Sequence, residues 1–167
     1  ADTVAPVITL SGSASVNHEQ GTTYTDEGAT ASDSVDGTIS VGTTGSVNFN
    51  VVGTYTLTYT ATDSAGNAAT AVTRTVIVAD TVAPVITLSG TTSVNHEQGT
   101  TYVDAGASAS DSVDGSVSVT TSGTVDTATA GTYTLTYTAT DSAGNAATAL
   151  TRTVIVADTV VPVITLS

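Results

Sequence analysis

The 167-residue chain has no cysteine, methionine, tryptophan or lysine, and its only basic residues are Arg74 and Arg152. Without cysteine there is no disulfide scaffold, no zinc–thiolate site and no thiol nucleophile. Two arginines stand against 15 acidic residues, giving a formal net charge of −13. That balance argues against nucleic acid and anionic membranes as partners, because phosphate binding draws on lysine and arginine. No apolar run approaches the roughly 18 residues a membrane helix needs, so direct membrane insertion is not expected. No charged-then-apolar leader opens the chain. No Asn-x-Ser/Thr sequon occurs in it.

What is present is threonine, 38 residues of it, and repetition. The string ADTVAPVITLSG begins at Ala1 and again at Ala79, and ADTVVPVITLS begins at Ala157, a period of 78 residues. The sequence therefore reads as two full repeats, 1–78 and 79–156, followed by the first strand of a third over 157–167. The two repeats differ at 16 of 78 aligned positions, and eight of these lie between Gly42 and Val52. That segment, with its counterpart Thr120–Ala130, is where the repeats are expected to diverge in structure. Near-identity of neighbours points to recent duplication within a longer array, of which this chain is expected to be a piece. An array makes length, whereas an enzyme rarely needs adjacent copies of itself. A repeat of this size buries only a small core, so bound metal or contact with neighbours would help it.

Within each repeat the hydrophobic period is two. Tyr55, Leu57, Tyr59 and Ala61 alternate with Thr54, Thr56, Thr58, Thr60 and Thr62. This is the signature of a half-buried antiparallel strand, and no window supports an amphipathic helix. Strands are predicted over Pro6–Leu10, Ser15–Asn17, Thr22–Ala31 with a kink near Gly28, Thr38–Thr43, Ser46–Val51, Thr54–Thr62 and Ala68–Val78. Asp36-Gly37 and Ala65-Gly66-Asn67 carry turn chemistry. Six or seven short strands with closely spaced turns mean an all-β fold, a β-sandwich. The expected core is Val7, Ile8 or Leu10, Tyr55, Leu57, Tyr59 and Val76. Arg74 shares the parity of Val72, Val76 and Val78, so a bulge is expected to turn it out to solvent beside a carboxylate.

Gly53-Thr54-Tyr55-Thr56-Leu57 has the pattern of a tyrosine corner, a tyrosine two residues before a core position and just after a glycine. Together the strings PVITL, YTDEGATASDSVDG, GTYTLTYTATDSAGNAAT and RTVIV resemble the bacterial Ig-like surface-protein repeats related to hyalin-repeat and PKD-type domains. The resemblance covers the whole chain. It implies tandem immunoglobulin-like sandwiches in a large secreted or surface-anchored bacterial protein, often an adhesin, where such domains act as spacers. Lys–Asn isopeptide bonds lock many Gram-positive pilin and adhesin domains; without lysine that crosslink cannot form here.

Catalysis is not expected. His18 and His96 each stand in Asn-His-Glu-Gln-Gly, read as an exposed turn, and a lone His-Glu lacks the second histidine of the zinc helix motif. The carboxylates remain. Each repeat places aspartate ahead of its first strand (Asp2, Asp80, and Asp158 ahead of the third). Asp33 and Asp36 follow in Ser-Asp-Ser-Val-Asp-Gly and Asp63 in Asp-Ser-Ala-Gly-Asn, with Asp111, Asp114 and Asp141 in the second copy. Glu19 and Glu97 close the set. Hard oxygen donors gathered in loops suit Ca²⁺. In an Ig-like sandwich the linker and the last hairpin loop share one pole, which would set Glu19 of the first repeat against Asp80, Asp111, Asp114 and Asp141. That arrangement resembles the interdomain calcium sites of cadherins without their linker motif, and calcium there is expected to stiffen the joint. A strict strand count gives one reversal between Thr38 and Val52 and puts the last hairpin at the wrong pole, unless that stretch crosses over irregularly. Aspartate at turns is also ordinary turn chemistry, and acidity keeps strand edges from pairing.

The leading expectation is a spacer in an extracellular surface protein, each repeat adding about 40 Å from strands of about ten residues. The linker Val78–Pro84 has β-branched residues, a proline and no glycine, which restricts bending. The runner-up is a filament subunit whose copies associate laterally or by strand addition, with Pro162–Ser167 as the added strand. A carbohydrate-binding module is disfavoured, since only Tyr24 and Tyr102 would be free to form an aromatic platform.

Overall fold

The structure is a computed structural model that describes residues 2–165. The chain divides into two compact units, Ala1–Thr81 and Val82–Ser167. In the first unit the strands are β1 (Val7–Leu10), β2 (Ser15–Glu19), β3 (Ala29–Asp33), β4 (Gly37–Ile39), β5 (Gly42–Thr44), β6 (Gly53–Thr60) and β7 (Val72–Ala79). They form two sheets, ordered β1-β3-β4 and β2-β7-β6-β5. All pairings are antiparallel except β2 with β7, which is parallel. The second unit repeats the plan with β8 (Val85–Leu88), β9 (Ser93–Glu97), β10 (Ala107–Asp111), β11 (Gly115–Val117), β12 (Val119–Ser122), β13 (Gly131–Ala139) and β14 (Leu150–Ala157). Its sheets are β11-β10-β8 and β12-β13-β14-β9.

The short stretch after β3 settles the strand count. β4 pairs with β3 in one sheet, and three residues later β5 pairs with β6 in the other. The chain crosses between sheets without reversing, as the irregular reading required. The strand predicted over Ser46–Val51 is instead a loop. Gly45 begins it at φ 99°, where an added Cβ would lie 2.3 Å from the Thr56 carbonyl oxygen. The Asn48 side chain then accepts from Asn50 N at 3.1 Å, and Gly21 N donates to Phe49 O at 2.8 Å. The predicted strand Thr22–Ala31 shrinks to β3, beyond the kink at Gly28, whose φ is 74°. In the divergent segment β5 has three residues and β12 has four. The third-repeat strand is not formed over 158–165, where Val160, Val161, Val163 and Ile164 are exposed. Leu166 and Ser167 lie outside the described residues, as does Ala1.

Ile8, Ala31, Leu57, Tyr59 and Ala61 form the first core cluster, and Val76 and Val78 on β7 are fully buried as well. The equivalent cluster is Ile86, Ala109, Leu135, Tyr137 and Ala139. Val7 does not belong to it: at 67 % exposure it faces out, because β1 places Ile8 opposite the buried Ala31. Tyr55 is half-buried, and its hydroxyl donates to Val51 O at 2.8 Å; Tyr133 and Thr129 repeat the bond. That is the anticipated tyrosine corner, closing the loop before β6. Tyr55→Phe is expected to cost about 1 kcal/mol by loss of this bond. Tyr55→Ala should cost about 3 kcal/mol, the lower end for a large aromatic, since the ring is only half-buried. Urea unfolding reads both; a phenylalanine variant as stable as the parent would remove the corner from the account.

Arg74 is the main departure from expectation. No bulge turns it outward; it keeps the parity of Val76 and Val78 and is 1 % exposed. It forms an ion pair with Asp26 from the irregular segment before β3. Its Nε donates to Ser13 O at 2.9 Å, its Nη2 to Ser11 O and to Gly28 O at 3.3 Å, and its Nη1 to the Tyr59 hydroxyl at 3.1 Å. The Tyr59 hydroxyl in turn donates to both Asp26 oxygens, at 2.8 and 2.9 Å. Arg152, Asp104 and Tyr137 repeat the network. A fully buried guanidinium survives because nearly all its donors meet oxygens. Tyr24 and Tyr102, expected to stand free, pack half-buried against the two cores and donate to Asp26 and Asp104.

Candidate metal centre

Three chain segments of the first unit converge at one pole of the sandwich. Asp2 lies ahead of β1, Asp33 closes β3, and Asp63 follows β6. One carboxylate oxygen from each lies within 4.8 Å of the other two. Because β1 and β3 are antiparallel, the start of one lies beside the end of the other, and the β6–β7 turn reaches them from the second sheet.

Each aspartate first serves its own loop. Asp33 Oδ1 accepts from Val35 N at 2.7 Å and Asp36 N at 3.1 Å, an Asx turn leading into Gly37. Asp2 Oδ1 accepts from Val4 N at 3.0 Å. Asp63, 7 % exposed, accepts from Asn67 N through Oδ1 and from Asn67 Nδ2 through Oδ2, both at 2.7 Å. Burial pushes the Asp63 carboxyl upward, but the Asn67 bonds and neighbouring backbone amides outweigh it and hold the group below the ordinary carboxylate range. The remaining oxygens, Asp2 Oδ2 and Asp33 Oδ2, are buried and receive no hydrogen bond. A buried carboxylate oxygen without a donor is costly, and neighbouring carboxylates repel one another. A hard divalent cation answers both conditions, and the donor set is all oxygen.

Asn67 ties the group together. Its Nδ2 also donates to Asp2 O at 3.3 Å and Val4 O at 3.4 Å, fixing the leading segment to the last hairpin. Neither Asn67 nor Asp26 was singled out in the sequence. Asn67 stood in plain view in Asp-Ser-Ala-Gly-Asn as turn chemistry; Asp26 was signalled only by the misplaced parity of Arg74.

The other predicted ligands are placed differently. Asp36 Oδ2 accepts from Ser64 N at 2.7 Å and bridges the two turns. In the second unit Asp111 and Asp141 carry oxygens within 4.8 Å of each other. Asp111 Oδ1 serves Val113 N and Asp114 N, while its Oδ2 is buried without a hydrogen bond. The amides of Asp114 and Val113 hold its carboxyl below the ordinary range. Asp141, 8 % exposed, is held by Asn145 N at 2.7 Å. Asp114 accepts from Ser142 N at 2.6 Å. Asp80, which stands in the second repeat where Asp2 stands in the first, is buried at 8 % exposure. Asp158 is exposed and accepts from Val160 N at 3.3 Å.

Glu19 and Glu97 each grip a threonine beyond the last strand of their own unit. Glu19 Oε2 accepts from Thr81 N at 3.0 Å and from Thr81 Oγ1 at 2.5 Å. Glu97 binds Thr159 N at 3.0 Å and the Thr159 hydroxyl in the same way. Those bonds from the Thr159 hydroxyl and amide hold the Glu97 carboxyl below its ordinary value. Neither glutamate belongs to a group of carboxylates placed to share an ion among the described residues. The histidines beside them sit on β2 and β9 rather than in turns, with Nε2 at 2.9 Å from Thr22 O and 3.1 Å from Thr100 O.

Two seven-stranded sandwiches, each with its second strand parallel to its last and a tyrosine corner, define an immunoglobulin-like tandem module. The chain belongs to the bacterial surface protein, Ig-like domain family, whose sequence profile matches residues 8–78 and 86–156. Among solved structures it is similar to a lipoprotein from Bacteroides thetaiotaomicron, with 18 % identity, a TM-score of 0.41, and coverage of 88 % of this chain and 99 % of that one. It is also similar to the fibronectin(III)-like modules of CbhA from Clostridium thermocellum, with 20 % identity, a TM-score of 0.38, and coverage of 91 % and 95 %. No curated protein matches the chain. No helix among the described residues is long and apolar enough to cross a membrane.

Proposed function

We propose that the repeats are extenders of a large extracellular bacterial surface protein of the adhesin kind, and that calcium at the aspartate pole locks the leading segment of each repeat onto its sandwich. One observation carries this reading: the same sandwich, with the same strand order, recurs after 78 residues. Side chains of the first unit hold the chain at both ends, Asn67 gripping Asp2 and Val4 and Glu19 gripping Thr81. What supports calcium is the pair of buried, donor-free oxygens on Asp2 and Asp33 beside the Asp63 carboxylate.

Sedimentation velocity tests the extender role. The chain should run as a monomer with the high frictional ratio of an elongated particle, unchanged over a hundredfold range of concentration. Concentration-dependent self-association would overturn the reading in favour of a filament subunit.

A further inference from the structure

We propose that Glu19, and Glu97 in the second repeat, is a positioning residue that carries tension, its carboxylate extending a shear-loaded contact past the ends of β2 and β7. The proposal rests on the extender reading, since only a chain pulled from both ends loads this contact. β2 runs parallel to β7 from Ser15 opposite Thr75 to Glu19 opposite Ala79. Tension reaches the first unit through the segment leading into β1 and β2, and leaves it through β7. In a parallel pair, a pull on the start of one strand and the end of the other acts in opposite directions along one ladder. All bonds across that ladder then share the load, instead of opening one after another.

The structure reinforces the ladder at both ends. At its start Thr75 N donates to Ala14 O at 2.9 Å, and the buried Arg74 reaches from β7 to the carbonyls of Ser11 and Ser13. At its finish Gln20 N donates to Ala79 O at 3.0 Å. Beyond that the Glu19 carboxylate takes over, holding both the amide and the hydroxyl of Thr81. A charged acceptor makes these bonds stronger than the neutral ladder bonds they follow. The same two donors of Thr159 meet Glu97.

The test is single-molecule pulling of the two-repeat chain at constant force, in chelator, so that no cation contributes. The parent should show two unfolding events. Glu19→Ala should accelerate one of them about tenfold, the scale of a lost charge-assisted hydrogen bond. Glu19→Ala with Glu97→Ala should accelerate both. Thr81→Ser should keep the parental rate, and Thr81→Val should fall between. Amide hydrogen exchange at rest provides the second readout: Thr81 N should lose protection in Glu19→Ala while Thr159 N keeps it, each repeat serving as the other's control. An unaltered unfolding rate in Glu19→Ala, or a Thr81 amide already unprotected in the parent, overturns the proposal. Failure of the extender reading would appear separately, as self-association in sedimentation.

Discussion

Asp26→Asn should destabilise the first repeat by about 3–5 kcal/mol, the cost of stripping a buried charge of its partner. Arg74 is fully buried and cannot lose its proton, so the variant leaves a guanidinium facing a neutral amide inside the sandwich. The Asp26 side chain is 26 % exposed, and water reaching the site should bring the loss toward the lower end of that range. Replacing the pair together, Asp26→Leu with Arg74→Met, should recover most of the loss, because the penalty belongs to the orphaned charge rather than to an absent attraction. Calorimetry of the single and paired variants closes the cycle. If Asp26→Asn melts with the parent, the ion pair contributes nothing and the buried arginine is satisfied by its carbonyls alone.

The same network sets two limits in pH. Burial pushes the Asp26 carboxyl up, but hydrogen bonds from Tyr59 and Arg74 outweigh it and hold the group below its ordinary 3.8. A depressed acid contributes stability above its unfolded value and loses it as pH falls through the folded one. The loss should therefore begin below about pH 4 and be absent from pH 5 to 8. Tyr59 runs the other way: burial, and then the Asp26 carboxylate, lift its hydroxyl from 10.0 to about 12. That contribution is complete below pH 10.0 and fades as pH rises toward about 12. Asp26→Asn should remove the acid limb of the first repeat and shrink its alkaline limb to the part that burial of Tyr59 sustains, leaving both limbs set by Asp104 and Tyr137 in the second.

Much of this was legible in the sequence, and the rest was hidden for identifiable reasons. The strict alternation from Tyr55 to Ala61 fixed β6, and Leu57, Tyr59 and Ala61 are buried as it required. Val7 against Ile8 was open, because parity in a four-residue strand is decided only by its partner β3. Arg74 announced itself by breaking the apolar pattern, yet its partner is 48 residues away in an irregular segment, where no local period points to it. The sheet crossing at Ser40–Val41 was signalled only by the strand count, which required an irregular crossover somewhere between Thr38 and Val52; strands of three residues are too short to alternate convincingly and so could not locate it. The acidic pole was visible as residue types. Which carboxylates faced one another was not: Glu19 and Asp33 are equally good oxygen donors on paper. Glu19 meets a threonine with two donors to offer, while Asp33 has an oxygen turned inward with none.

That inward oxygen decides the second large effect. Calcium should raise the melting temperature by an amount corresponding to about 2.7 kcal/mol at a hundredfold excess over Kd, since an ion bound only by the folded state stabilises it by RT ln(1 + [L]/Kd). Asp33→Asn with Asp111→Asn should abolish the rise. The substitution is chosen for what it keeps. The asparagine oxygen can still accept from Val35 N and Asp36 N, or from Val113 N and Asp114 N, so the Asx turns survive while the charge is lost. The sign of the effect should therefore depend on the ion. In chelator the variant should melt at or above the parent, because removing one carboxylate relieves repulsion with its neighbours at the pole. In calcium the order should reverse. A turn defect could not produce that crossing, as it would lower the variant equally in both conditions. Identical parental melting curves in calcium and in chelator would leave the aspartates as turn residues and remove the ion from the proposed function, without touching the extender role.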